Sequence, residues 1–358
     1  MLPFFAENFG NPSSLYLRGR TALEAIERAR AIIAELIGAR PREILFTSGG
    51  SESDNLAIRG VAMGAHKRHI ITSAIEHHAV LHTCAQLTQL FDFDVSYVDV
   101  DAYGQVDPAD VARAIRPDTA LISIMYANNE VGTIQPIAEI GKIARSKGVP
   151  FHTDAVQAAG ALRIDVNELS VDFMSLSGHK FYGPKGIGVL YVRDGVDVRP
   201  AQTGGGQERG RRAGTEFTAG IVGIARALEI AQSEHAAQQQ AQAALRDRLL
   251  RTIPERIDGA RVSGHPDRRL PNNASFTIDG VDGETVILGL DQSGIEASTG
   301  SACTSGSTEP SHVLKAMGMP DEMARGSLRL TLGRETTGAD IDRVLSVLPV
   351  LVETLRGQ

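Results

Sequence analysis

The sequence predicts a doubly wound α/β protein, with a large domain on a mainly parallel seven-stranded sheet and a smaller C-terminal α+β domain. Three observations carry this. Short apolar runs alternate with amphipathic helical segments through the first two-thirds of the chain. Several of those runs are apolar almost throughout, as parallel strands covered on both faces must be. The chain has 358 residues, more than one hydrophobic core usually serves.

The elements follow in order. Residues 18–37 read as a helix, because Leu23, Ile26, Ala29, Ile33 and Leu36 recur at helical spacing and Gly38 stops them. Strand candidates come next at 43–47, 69–72, 95–98, 120–125, 149–153, 172–176 and 187–192, with helical segments between most of them. After Thr215 the pattern changes. Residues 221–251 form a long segment rich in Ala and Gln that reads as a connecting helix. Beyond it lie strands at 273–278, 294–298 and 327–332 and helices at 284–292 and 340–356. The expected division is therefore 1–230 and 231–358. Residues 298–311 are almost all Ser, Thr and Gly around Cys303.

Composition narrows the function. Hydrophobic content of 42% and charged content of 22% are those of an ordinary globular protein. A net charge of −7 argues against nucleic acid as the main partner. The only cysteines, Cys84 and Cys303, make no disulfide framework and fit a reducing compartment. No apolar run is long enough to span a bilayer. Met1-Leu2-Pro3-Phe4-Phe5 lacks the basic start and apolar length of a signal peptide. A cytoplasmic location is expected, with no membrane partner and no metal.

In an open α/β sheet the ligand site lies beyond the carboxyl ends of the strands. The chemistry-bearing residues fall there. Asp154 directly follows one strand candidate and Lys180 follows the next, in Ser177-Gly178-His179-Lys180. Either alone reads more simply as half of an ion pair. Together they suit pyridoxal phosphate, whose aldehyde takes a lysine amine and whose pyridine nitrogen takes a carboxylate. Ser48-Gly49-Gly50-Ser51 follows a strand and opens a helix, a place where backbone N–H groups and the helix N-terminus can hold a phosphate. His77, in Glu76-His77-His78, can lie over a ring and move protons near neutral pH. Asn128 and Gln157 follow strands and could bond a ring hydroxyl or a carboxylate, although turn and cap duty explains them equally.

Residues 204–215, glycine-rich and basic, end at Thr215 and suit a solvated loop or a local phosphate contact. Arg329 sits inside a strand candidate, where it needs a partner: a structural carboxylate or the carboxylate of an amino-acid substrate. Cys303 lies among polar residues that cannot bury it, so its thiol is expected to be exposed, and therefore reactive or a liability. Cys84 lies on an apolar helical stretch and reads as packing.

These motifs resemble the cysteine desulfurases of the NifS/IscS type, within the class V aminotransferase group of pyridoxal-phosphate enzymes of fold type I. The likeness runs from Phe9-Gly10-Asn11-Pro12 nearly to the C-terminus and includes Gly300-Ser301-Ala302-Cys303-Thr304-Ser305. It implies that Lys180 carries the cofactor and shuttles the proton at the substrate Cα. It implies that Asp154 binds the pyridine nitrogen, Gln157 the ring hydroxyl, and that His77 stacks on the ring. Gly50, Ser51, Ser177 and His179 would hold the phosphate, with Thr215 reaching in from the second subunit of a homodimer. Asn128, beside the cofactor, and Arg329 would orient the substrate carboxylate. Cys303 would take the sulfur of L-cysteine as a persulfide, release L-alanine, and hand the sulfur to an iron–sulfur scaffold or another acceptor protein.

The family opens with a segment containing Ala-Thr-Thr-Pro before Phe-Gly-Asn-Pro, whereas this chain starts at Met1-Leu2-Pro3. Slower turnover than in a chain extended upstream is the expectation. Rival readings are another class V enzyme, an aminotransferase or a selenocysteine lyase, and a non-catalytic scaffold for sulfur-handling proteins.

Overall fold

The structure is a computed structural model that describes residues 1–300 and 309–357. The chain divides into two compact units. The first comprises residues 1–98, 108–126 and 136–235, and the second 99–107, 127–135 and 236–358.

The first unit holds seven strands: β1 (Ile44–Thr47), β2 (His69–Ser73), β3 (Asp94–Val98), β4 (Thr119–Ser123), β5 (Phe151–Asp154), β6 (Phe173–Ser177) and β7 (Gly188–Val192). Their order is β1-β7-β6-β5-β4-β2-β3. β3, β2, β4, β5 and β6 run parallel, while β7 is antiparallel to both of its neighbours. β1, β2, β4, β5, β6 and β7 are buried along their whole length, which explains why their sequences barely alternate. Helices α1 (Pro3–Ala6), α2 (Leu17–Leu36), α3 (Gly50–Gly64), α4 (His78–Phe91), α5 (Pro108–Ala114) and α6 (Ile137–Ser146) belong to this unit. α2 buries Ala22, Ile26, Ala29 and Ile33, one stripe at helical spacing. Leu56, Ile58 and Val61 of α3 join Leu45, Ile70, Leu121, Phe173 and Leu190 of the sheet in one cluster. A fully buried side chain of this size contributes about 1.5–3 kcal/mol.

Helix α7 (Thr218–Arg256) begins in the first unit and ends in the second. The second unit contains a small antiparallel sheet of order β10-β9-β8, made of β8 (Ala260–Val262), β9 (Asn273–Ile278) and β10 (Ser327–Thr331). Its helices are α8 (Gly283–Gln292), α9 (His312–Ala316), α10 (Asp321–Arg325) and α11 (Gly338–Arg356). Phe276, Leu290, Leu328 and Leu348 are central to its core. Asp282 caps α8, and a reciprocal Thr337–Asp340 capping box starts α11.

One expected strand is corrected. Residues 294–298 do not form one: only Ser298 bridges to Arg329, and Gly294 bends the chain with φ +71°. The short β8 was not foreseen. It has three residues, of which only Ala260 is buried, too few to show a period. Among the described residues no helix is long and apolar enough to cross a membrane.

Candidate active site

Sheet register gathers the motifs of the first unit. Thr47 ends β1 and Ser177 ends β6, and both pair with Gly188 at the start of β7. The turn 48–50 and the turn carrying Lys180 therefore leave the sheet from one row. A Cβ on Gly188 would lie 2.6 Å from the Gly49 carbonyl carbon, so only glycine lets that turn cross β7. A Cβ on Gly50 would meet Val156 Cγ2 at 2.7 Å, which draws the start of α3 against the turn after Asp154. Ser177 Oγ and His179 Nδ1 are hydrogen-bonded at 3.1 Å beside the turn, and Ser51 is exposed on the first turn of α3. A helix N-terminus with flanking hydroxyl and imidazole groups fits a phosphate group.

Asp154 is buried at the end of β5, and Val156 N–H donates to its Oδ1 at 2.9 Å. Burial pushes its carboxyl up to about 6, against that hydrogen bond and the positive charge of Lys180. Lys180 stands exposed in the short helical turn Gly178–Phe181. A buried carboxylate that senses an exposed amine suits a ring nitrogen at one end and an aldehyde at the other.

His77 caps α4. Its Nδ1 accepts from Ala79 N–H at 3.1 Å, so the neutral ring carries its proton on Nε2. His77 and Ser51 line one pocket of about 360 Å³, with Asn55, Arg59, His78 and His82. Gln157 is half-buried just past Asp154.

The basic loop is held locally. Arg212 pairs with Glu52 of α3 at 2.8 Å. Buried Glu208 takes both guanidinium nitrogens of Arg30, at 2.8 and 3.0 Å. Thr215, at its end, is exposed, and among the described residues it makes no hydrogen bond within the chain.

Asn128 and Arg329 belong to the second unit. Asn128 Oδ1 accepts from Glu130 N–H at 2.8 Å and Val131 N–H at 3.0 Å, which fixes its amide in a turn. Arg329 Nη1 donates to the Asn129 carbonyl at 2.8 Å. The structure thus brings these two motifs together. Ser311 Oγ donates to buried Glu130 at 2.5 Å, and burial raises that carboxyl. Cys303 lies outside the described residues.

Sequence reasoning missed a buried polar layer behind Asp154: Asp54 on α3, Ser123 on β4, His152 on β5 and Ser175 on β6. The signal was partly there, since His152 lies two residues before Asp154 and so on the same sheet face. Glu76, named only as part of a motif, is buried nearby. Its Oε1 accepts from Ser73 Oγ at 2.5 Å and Met125 N–H at 2.9 Å. Burial pushes its carboxyl up to about 8. The folded state then keeps a proton that the unfolded chain releases near pH 4.5. Stability from this group is complete below that pH and is lost as pH rises towards 8. Glu76→Gln should therefore raise the melting temperature of cofactor-free protein, by a few degrees more at pH 8 than at pH 5. A gap that does not widen with pH in thermal scans refutes this.

The chain is similar to known proteins over its whole length. Residues 1–344 match the family described as Aminotransferase class-V. A curated protein from Methanosarcina thermophila named cysteine desulfurase IscS is 54% identical over 358 residues, covering 99% of this chain and 88% of that one. A solved structure described as a NifS-like protein has a TM-score of 0.91 at 38% identity, covering 100% of this chain and 94% of the other. Another, SspA in complex with cysteine, has a TM-score of 0.82 at 41% identity, with 94% of each chain covered.

Proposed function

The chain belongs to the class V aminotransferase family and is a pyridoxal-phosphate-dependent cysteine desulfurase, and from that premise we propose which of its residues do the work. Lys180 holds the cofactor aldehyde and moves the proton at the substrate Cα. Asp154 holds the pyridine nitrogen and Gln157 the ring hydroxyl, with His77 against the ring. Gly50, Ser51, Ser177 and His179 hold the phosphate. Asn128 and Arg329 orient the substrate carboxylate. The observation that carries this reading is the buried Asp154 facing the charge of Lys180, next to a helix N-terminus.

When bound, pyridoxal phosphate withdraws electrons from the substrate Cα. The chain's own groups supply the rest. Asp154 stays anionic beside the ring nitrogen. Cys303 acts as a thiolate, which needs activation because an ordinary thiol has a pKa of about 8.5. Its sulfur bonds to the substrate sulfur, the C–S electron pair passes to carbon, and a proton completes alanine. Cysteine and the thiol become alanine and a persulfide, and no outside oxidant is needed.

The same reading makes the enzyme a cytoplasmic homodimer that donates sulfur to an iron–sulfur scaffold or another acceptor protein. What supports a dimer is Thr215, exposed and without a hydrogen bond among the described residues, at the end of an anchored loop. Sedimentation of the holoenzyme should give a dimer, and Thr215→Val should weaken cofactor affinity. A monomer that keeps its cofactor overturns the dimer assignment.

A further inference from the structure

Behind Asp154 lies a closed set of ionisable groups with too many negative charges. Asp54, Glu76 and Asp154 are all buried, and the charges of Glu76 and Asp154 both act on Asp54. Among the described residues, the other charged or titratable groups facing this cluster are His152 on β5, Lys180 beyond β6 and the buried thiol of Cys84 on α4, which faces Glu76 and is itself neutral. Like charges this close, away from water, cannot all be ionised.

Hydrogen-bond geometry limits where a proton can rest. His152 Nδ1 lies 2.8 Å from Ser123 Oγ, and His152 Nε2 lies 3.0 Å from Ser175 Oγ. Ser175 is also hydrogen-bonded to Asp54. Asp54 Oδ1 lies 3.6 Å from His152 Nε2, too far for a hydrogen bond, and has no hydrogen-bond partner. Burial pushes His152 down to about 3, so its ring is neutral and has one donor and one acceptor.

The row Asp54–Ser175–His152–Ser123 then has two settings. With Asp54 protonated, its O–H donates to Ser175, Ser175 donates to His152 Nε2, and His152 Nδ1–H donates to Ser123. With Asp54 ionised, every bond reverses. That second setting leaves a charged oxygen buried and unpartnered beside other carboxyls. The first leaves only a neutral carbonyl oxygen unpartnered, at a far smaller cost.

We propose that Asp54 is a positioning residue that stays a neutral acid, bonded through Ser175 to His152, so that the negative charge of this layer rests on Asp154. It deepens the reading above, in which Asp154 holds the pyridine nitrogen. Asp54 touches neither substrate nor cofactor and acts through Asp154.

The test uses Asp54→Asn, which keeps shape and neutrality, and Asp54→Leu, which cuts the row. In cofactor-free protein at neutral pH, the infrared difference between wild type and Asp54→Asn should contain the carbonyl stretch of a protonated carboxylic acid. A carboxylate stretch in its place overturns the proposal. In the holoenzyme, Asp54→Asn should shift the pH titration of the cofactor's visible band by less than about half a unit. A shift of about one unit or more, as expected for loss of a buried charge, also overturns it. Asp54→Leu should weaken pyridoxal phosphate binding about tenfold, and wild-type affinity removes the positioning role. Should that variant fail to fold, the two Asp54→Asn readings still decide. An unchanged cofactor spectrum in Asp154→Asn would sink the assignment of Asp154, while the infrared result on Asp54 would stand.

Discussion

Lys180→Ala should lose the visible absorption of bound pyridoxal phosphate and release alanine from cysteine about a thousandfold more slowly, or not at all. On the proposed assignment two roles disappear with one amine: the bond to the cofactor aldehyde and the proton transfer at the substrate Cα. No other lysine lies in the first turn beyond β6, since Lys185 follows only after Tyr182-Gly183-Pro184. The fold should survive, because Lys180 is exposed and substitutions at exposed sites usually change stability by less than about 0.5 kcal/mol. The proposed phosphate cradle is untouched, so the variant should still take up cofactor by dialysis, more weakly. Absorption spectra and an alanine assay on matched preparations check both parts. Full turnover in Lys180→Ala would falsify the site.

Cys303→Ser should give the opposite pattern. The residues proposed to bind the cofactor do not include Cys303, so the visible band should be that of the wild type. Persulfide formation and alanine release should fall to background, because a hydroxyl cannot accept sulfane sulfur. Mass spectrometry after incubation with L-cysteine reads the persulfide directly. This variant also separates the desulfurase from an aminotransferase, which needs no thiol. Cys84→Ser is the control. Cys84 is buried on α4, and burial pushes its thiol up to about 12, so it is not nucleophilic at neutral pH. Serine there should leave the rate of alanine release nearly unchanged and cost about 1–3 kcal/mol of stability by burying a hydroxyl. Alanine release at the wild-type rate from Cys303→Ser would remove the cysteine loop from the mechanism.

Much of the candidate site was legible because the chain places its chemistry-bearing residues at strand ends. Asp154 closes β5, Lys180 follows β6, and Gly50 opens α3 directly after β1. Strand ends can be read from apolar runs, and short motifs next to them carry the family resemblance. Positions were less legible where one residue serves two ends. Val149-Pro150 reads as apolar strand, yet Gly148 with φ +63° turns the chain there and β5 starts at Phe151.

By itself the sequence determined the class of fold, the existence of the seven strands, and the motifs that carry the family resemblance, the proposed acid–lysine pair among them. Those depend on local periodicity and on motifs a few residues long. Only the tertiary structure decided which segments share a unit. Residues 99–107 and 127–135 group with the second unit although unit-one strands flank them, so Asn129, next to Asn128, meets Arg329 across 200 positions. It also decided that Asp54, Ser175, His152 and Ser123 form one row. That row exists because β4, β5 and β6 lie side by side under α3. Pairing between strands is a global choice among competing neighbours, made by burial of all of them at once, and no local pattern records it.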